Sequence, residues 1–576
     1  MTTLVLAALA LLFAVAIYLA GLCGRRLERP GDFLDGGSGL PAWVLMFAGA
    51  GVLVGGLGLR DHLLLATMYG LQSSHVARGL VLAALCGAMV HKRLWIAARA
   101  TRKSSLIDIV SDYYGGVALI AVTMMFAVPF AAQALGEAAD LMTAATAGAI
   151  PRRQAVFTLA IAMFLVSTIG GRRGVTLAVA ARAFLLLALL LFAPLFMAAA
   201  FYRLSALASG PSAIKGVLAD QMPGVMQYSA GIGKDVAAGG MFTTLTILAA
   251  GASLIGLALS PAMGLLATTT RVRTGLAFQQ VWMVAGLATG ALILTTPVLA
   301  ANLIAGDVVR RYLIPDLTGD GQRLAARVAL AALYAGVVLA AAYAPLSSAI
   351  LGAATVSSSA QLPPVFIGPY WAPWISREAV VCGLLFGELL VIFTEPPGLV
   401  AFEGLFLDLP WGRWPLTIHS TAWGLAFNVA AYLLVSLFTK AGPERERRER
   451  LHAVFRNLTP HPRAGSAAPT AKWSLSLIWT FLALGPSAIL GNTFFSKPMF
   501  AEGDVALGVP SLWVWQVVSW FVGLLLTWWL AYRGRMDGRH RRNPDRQVRS
   551  RAVRRPVRRP ARSALAEPHD RATVSR

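Results

Sequence analysis

The stretch STIGGRRGVTLAVAAR (167–182) sets two apolar runs on either side of a glycine–arginine corner. Each run is long enough, with its flanks, to cross a hydrocarbon layer. Arg172 and Arg173 stand at the corner, where a membrane interface solvates them. Arg182 lies a few turns inside the second run, about 12–15 Å along the helix axis at 1.5 Å per residue. A charge at that depth needs a partner, a watery cavity or a side chain that reaches the interface. All three readings stand on sequence alone.

The rest of the chain repeats this design. Of 576 residues, 57% are hydrophobic and 13% charged, about half the charge of a soluble domain. Mean hydropathy is +0.65. Apolar runs recur near 3–22, 41–60, 63–91, 116–146, 154–171, 174–202, 240–268, 279–305, 325–345, 346–371, 376–395, 417–438, 473–491 and 510–532. Ten-residue strands of alternating polarity are absent, so helices are the spanning elements. The sequence therefore predicts an all-α polytopic membrane protein with about 14 transmembrane helices. Cys23, Cys86 and Cys382 are scattered and apolar-flanked, which argues against a disulfide framework. The first run lacks a basic leader and a small-residue cleavage site, and is read as a retained span.

Charge placement gives orientation. GRRLER (24–29), HKRLWIAARATRK (91–103), GGRRG (170–174) and RVRTG (271–275) are basic linkers, and the positive-inside rule assigns them to the cytoplasm. The N-terminus then faces outward. Alternation fails after the eighth run, because DVVRRYLIPDLTGDGQR (307–323) and the strongly basic linker at 440–463 would fall outside. One crossing more or fewer near 275–310 repairs both. From 533 onward fifteen arginines stand against four acidic residues. This tail (533–576) reads as disordered and cytoplasmic, on anionic lipid or a protein partner. It lacks the aromatic interleaving of single-strand nucleic-acid binders, and no nucleic acid is expected.

Several pieces, in order, resemble the sodium:solute symporters. They are PAWVLMFAGAGVLVGG (41–56), LATMYG (65–70), RKSSLIDIVSDYYGG (102–116), AAQALGEAADLM (131–142), the 167–182 stretch, SPAMGLLATTTRVRTGLAFQQVW (260–282), AQLPPVFIGPYW (360–371) and LTIHSTAWGLAFNVAAYLLVSLFT (416–439). The resemblance covers about 3–455. It implies a LeuT-type inverted-repeat helical bundle and a secondary transporter of a small organic solute, a carboxylate being favoured by the cations within the spans. Its home would be the cytoplasmic (bacterial inner) membrane. The remaining organisation is a linker at 456–472 and an added two-helix hairpin at 473–532, whose second helix faintly resembles small two-span accessory subunits.

The departures from the family pattern are specific. The position of its Asp in the GG-x-x-AVxxTDxxQ motif falls on Val179, and that of its Gln on Arg182. Only one apolar run fills an interval where the family has two core helices, as if one were lost or fused. The hydroxyls that its eighth helix brings to a sodium site would land near Ala291 and Leu292. Thr295 and Thr296 are the nearest, one turn displaced, and mark a weak sodium site at best. The alternative function is a symporter-like membrane sensor or scaffold that acts through a separate partner.

No Walker loop, GxSxG, HExxH or kinase signature is present, so no enzyme or resident cofactor is expected. The candidate solute-binding residues are Gln72, His75, Arg78, Gln133, Arg182, Ser260 and Gln361. Gln72, His75 and Arg78 share one helical face. That stripe either lines an anion-binding cavity, or Arg78 pairs with Glu137 or Asp140, or it snorkels. Gln133 and Gln361 match family positions on the substrate pathway, and interhelical hydrogen bonding explains them equally well. Ser260-Pro261 marks either a helix interrupted mid-membrane or a plain proline kink. Ser357, Ser358 and Ser359 read as small residues for close packing, beside Gln361.

Overall fold

The fold comes from a computed structural model. It describes residues 2–25, 40–57, 116–201, 244–260, 319–343, 348–405, 414–439, 443–458, 469–489 and 509–530, with 33, 498–499 and scattered positions in 81–98, 110–114 and 263–267. The described chain is almost wholly helical: α1 Thr2–Gly24, α2 Ala42–Leu57, α3 Gly116–Ala145, α4 Arg152–Phe201, α5 Thr244–Ala258, α6 Gly319–Tyr343, α7 Ser348–Ser359, α8 Arg377–Thr394, α9 Pro396–Gly404, α10 Ser420–Phe438, α11 Pro443–Leu458, α12 Pro469–Ile489 and α13 Ser511–Trp528. Pro498–Met499 and Val509–Pro510 form a two-residue antiparallel pair at the base of the last hairpin.

Among the described residues four helices are long and apolar enough to cross a membrane, or five if the bent pair α8–α9 counts as one. The protein is a multi-pass membrane protein. Its helices show the pattern a lipid environment selects. On α10, Ser420, Gly424, Asn428, Tyr432 and Ser436 recur every fourth residue and face inward. Leu433, Leu437 and Phe438 face outward, Phe438 at 84% exposure. Small and polar residues let helices approach and bond, and lipid accepts the apolar outer face.

The GG corner of 167–182 is built as its composition requires. α4 is interrupted at Gly171, which has φ 53° and ψ −157°. A Cβ there would fall 2.8 Å from the Phe33 carbonyl oxygen, and one on Gly170 would fall 3.0 Å from Ala20 of α1. Only glycine permits both the left-handed backbone and the close crossing. The two runs expected at 154–171 and 174–202 are thus two helices joined at a kink at Gly171.

Other runs break where a single span was expected. The run at 346–371 ends as a helix at Ser359, and Pro363–Phe366 and Ile367–Tyr370 follow as single turns. Pro363 and Pro364 supply no amide hydrogen, and each disfavours helical backbone at the residue before it. The run at 376–395 turns by 70° into α9 at an extended Glu395, with Pro396 opening the new helix.

The linker at 91–103 is not a solvated loop where it is described. His91, Leu94, Trp95, Ile96, Ala97 and Ala98 are all buried. The basic linker at 440–463 contains α11, which docks inward: His452 Nε2 lies 3.1 Å from Tyr113 Oη and 2.8 Å from the Gly368 carbonyl oxygen. Burial pushes the Tyr113 phenol up, with the Arg448 guanidinium opposing, so it keeps the proton it donates to Gly368 O. Tyr113 follows one basic linker and His452 lies in another. Simple alternation separates these segments to opposite faces, yet here they touch. Residues 268–318, where the charge pattern locates the anomaly, lie outside the described residues, as does the tail at 533–576.

Candidate functional site

A buried polar cluster surrounds the ends of α5 and α7. α5 stops at Ala258. Its last carbonyl is taken by His91 Nε2 at 2.9 Å, a side chain arriving from another helix to satisfy a backbone group that the break frees. Ser260 starts the next turn: its carbonyl accepts Gly264 N–H at 2.9 Å, and its Oγ receives Met263 N–H at 3.4 Å. Ser260 thus caps the turn that follows α5, and residues 261 and 262 lie outside the described residues. Pro261 follows Ser260 in sequence, the residue type best suited to a first helical position.

α7 breaks against the same place. A Cβ on Gly256 would overlap the Ser359 carbonyl, so α5 and α7 cross with backbones in contact. Ser359 Oγ donates to Ser253 O across the crossing at 3.0 Å, and Ser253 Oγ lies 3.4 Å from Thr421 Oγ1 of α10. The three consecutive serines fan out by about 100° each. Ser358 Oγ donates to Glu388 Oε1 of α8 at 2.6 Å. Ser357 Oγ donates to Glu395 Oε1 at 2.9 Å, beside Trp414 Nε1 at 3.4 Å. Their hydroxyls hold three neighbouring elements, a role beyond the small size that sequence assigns them.

The two glutamines that sequence could not separate are different here. Gln361 is fully buried. Asn428 Nδ2 donates to its side-chain Oε1 at 3.1 Å and to its own backbone carbonyl at 3.0 Å. Gly387 and Gly424 press on it, a Cβ at either falling 2.5 or 2.6 Å from its amide. Gln361 is a structural clamp between α8 and α10. Gln133 on α3 is 1% exposed, and neither Nε2 nor Oε1 has a hydrogen-bond partner among the described residues. An orphaned buried amide costs about 1–3 kcal/mol, so Gln133 is the glutamine suited to meet a ligand.

Arg182 has aromatic neighbours. Its guanidinium lies 5.9 Å from the centre of the Phe13 ring on α1 and interacts with Tyr334 of α6. Tyr334 Oη is in turn 3.2 Å from Ser167 Oγ. No carboxylate pairs with Arg182 among the described residues, and its contacts lie with α1 and α6, away from those of Gln361. Asp140 has its partner in Arg152, Nε to Oδ1 2.8 Å, while Arg152 also donates to Ala341 O at 2.8 Å. The alternative pairing of Arg78 with Glu137 or Asp140 involves a residue outside the described ones. Gln72, His75, Arg78, Thr295 and Thr296 lie outside the described residues.

Sequence reasoning missed His91, Glu395 and Ser253. Asn428 was signalled by the every-fourth-residue stripe of α10. The other three depend on contacts between distant segments and leave no local pattern.

No protein-family model matches the sequence, and no curated protein matches it. A solved structure of a Na+-coupled sialic acid symporter, in a substrate-bound outward-open state, is similar with a TM-score of 0.49 and 13% identity, over 76% of this chain and 98% of that one. A likeness at that level identifies neither family nor substrate.

Proposed function

We propose that this chain is a secondary transporter of the sodium:solute symporter type. It moves a small organic solute, of the carboxylate class, across the cytoplasmic membrane. On this reading the fold is a LeuT-type inverted-repeat bundle of about fourteen helices, with the N-terminus outside and the arginine-rich tail in the cytoplasm. The observation that carries the proposal is the crossing of two interrupted helices at Gly256 and Ser359, inside a membrane protein. Non-helical backbone at membrane depth is tolerated where it is buried in protein or lines a cavity, and transporters bind solutes at such breaks. Gln133 supplies an orphaned amide for the solute. Sodium coupling has little support: Val179 and Arg182 stand where the family pattern has Asp and Gln, and only Thr295 and Thr296 remain near the expected hydroxyl positions.

Purified protein in proteoliposomes tests this with radiolabelled small carboxylates, under imposed sodium or proton gradients. Accumulation of one of them above the level of empty vesicles supports transport. Ligand binding without uptake supports the sensor or scaffold reading instead, in which Arg182 and the missing acid mark a lost ion site.

A further inference from the structure

Three carboxyls are buried among the described residues, Glu137, Glu388 and Glu395. Glu388 is the one with a single hydroxyl donor. Its Oε1 accepts Ser358 Oγ–H at 2.6 Å. Its Oε2 has no hydrogen-bond partner among the described residues, although the residue is 8% exposed.

Among the described residues no cation bonds to it from the elements packed on α8. α7 carries no titratable side chain. α10 offers Tyr432, capped by His419, and α9 offers Glu403. α3 carries Glu137 and Asp140, the latter paired with Arg152. On α8 itself the other titratable side chains are Cys382, Arg377 and Glu378, and Arg377 pairs with Glu378 at the helix start. None of these bonds to Glu388. An ionised carboxylate in an apolar interior is costly unless it is paired. Ser358 also lies in the last turn of α7, where the helix dipole presents its negative end and opposes an anion.

The site touches the break. Ser358 is two residues from Ala360, and Gly387, the neighbour of Glu388, presses on the Gln361 side chain. We infer that Glu388 is an exchangeable proton site that couples a proton to solute movement, a deepening that rests on the transport reading. The step is one reversible O–H bond: Oε2 takes a proton from one side of the membrane and releases it to the other. Ser358 keeps donating to Oε1, and no other bond changes. Charging and neutralising Glu388 alters the pull on the last turn of α7, which ends at the crossing.

The experiment has two readouts on the full chain. Infrared difference spectra between two pH values detect a protonated carboxyl C=O band without any transport. The band should be present in the wild type, absent in Glu388→Gln, and moved in Ser358→Ala, which removes its hydrogen bond. In proteoliposomes, a gradient of about one pH unit drives at most about tenfold accumulation per proton. Glu388→Gln should abolish this pH-driven component. Absence of the band in the wild type, its persistence in Glu388→Gln, or a band that responds to sodium and not to pH would overturn the proton site. Lack of any solute uptake with the band intact would overturn the transport reading alone.

Discussion

Asn428 holds Gln361 twice, through the side-chain oxygen at 3.1 Å and the backbone carbonyl at 3.0 Å. Both bonds sit at the broken end of α7, so Asn428 on α10 stands in for helix bonds that the break removes. Asn428→Ala should lower stability by about 1–2 kcal/mol. Gly387→Ala should do so as well, because its Cβ meets the Gln361 amide. Thermal unfolding in detergent measures both. Wild-type midpoints in the two variants would show that the clamp carries no weight.

The glycine corner makes a second prediction. Gly171→Ala forces a side chain into a positive-φ position against the Phe33 carbonyl. The left-handed backbone alone costs about 1–2 kcal/mol, and the backbone contact adds to it. Gly336→Ala on α6 has open space for its Cβ and should be tolerated. Comparison of monodisperse yield by size-exclusion chromatography reads the difference.

Much of this architecture is legible in the sequence, and the boundary is physical. The corner at 170–171 and the interruption at Ser260 are written in local residues, because glycine and proline act on their own backbone. The clamp on Gln361 is not. Its partners, Gly387, Gly424 and Asn428, come from two later helices and meet only in the packed bundle. The same holds for His91, which reads as the start of a basic linker and proves to be a buried cap on Ala258. Gln133 and Gln361 are equal in sequence, and contacts alone separate them.

Tyr113 and His452 are in contact, and the two basic segments beside them are predicted to share one face of the membrane. In a background lacking Cys23, Cys86 and Cys382, Lys103→Cys and Arg450→Cys should react with a membrane-impermeant thiol reagent from the same side. Labelling from opposite sides would contradict the departure from simple alternation.

The environment of Arg182 bears on sodium. Its charge rests between aromatic neighbours Phe13 and Tyr334, and the Thr295 and Thr296 hydroxyls are one turn from the expected sodium positions. Neither Val179→Asp nor Arg182→Gln alone should create sodium-driven uptake. Sodium-stimulated accumulation by either single variant would show that the remaining ligands are already in place.

Initial uptake rates of a radiolabelled carboxylate in proteoliposomes, for the wild type beside Gln133→Leu, test whether the orphaned amide of Gln133 binds a transported solute. The wild type should accumulate solute saturably, and Gln133→Leu should raise KM by about tenfold, the loss of one or two buried hydrogen bonds to the solute. A wild type that binds and accumulates none of the carboxylates, or a Gln133→Leu protein with unaltered KM and rate, would contradict it.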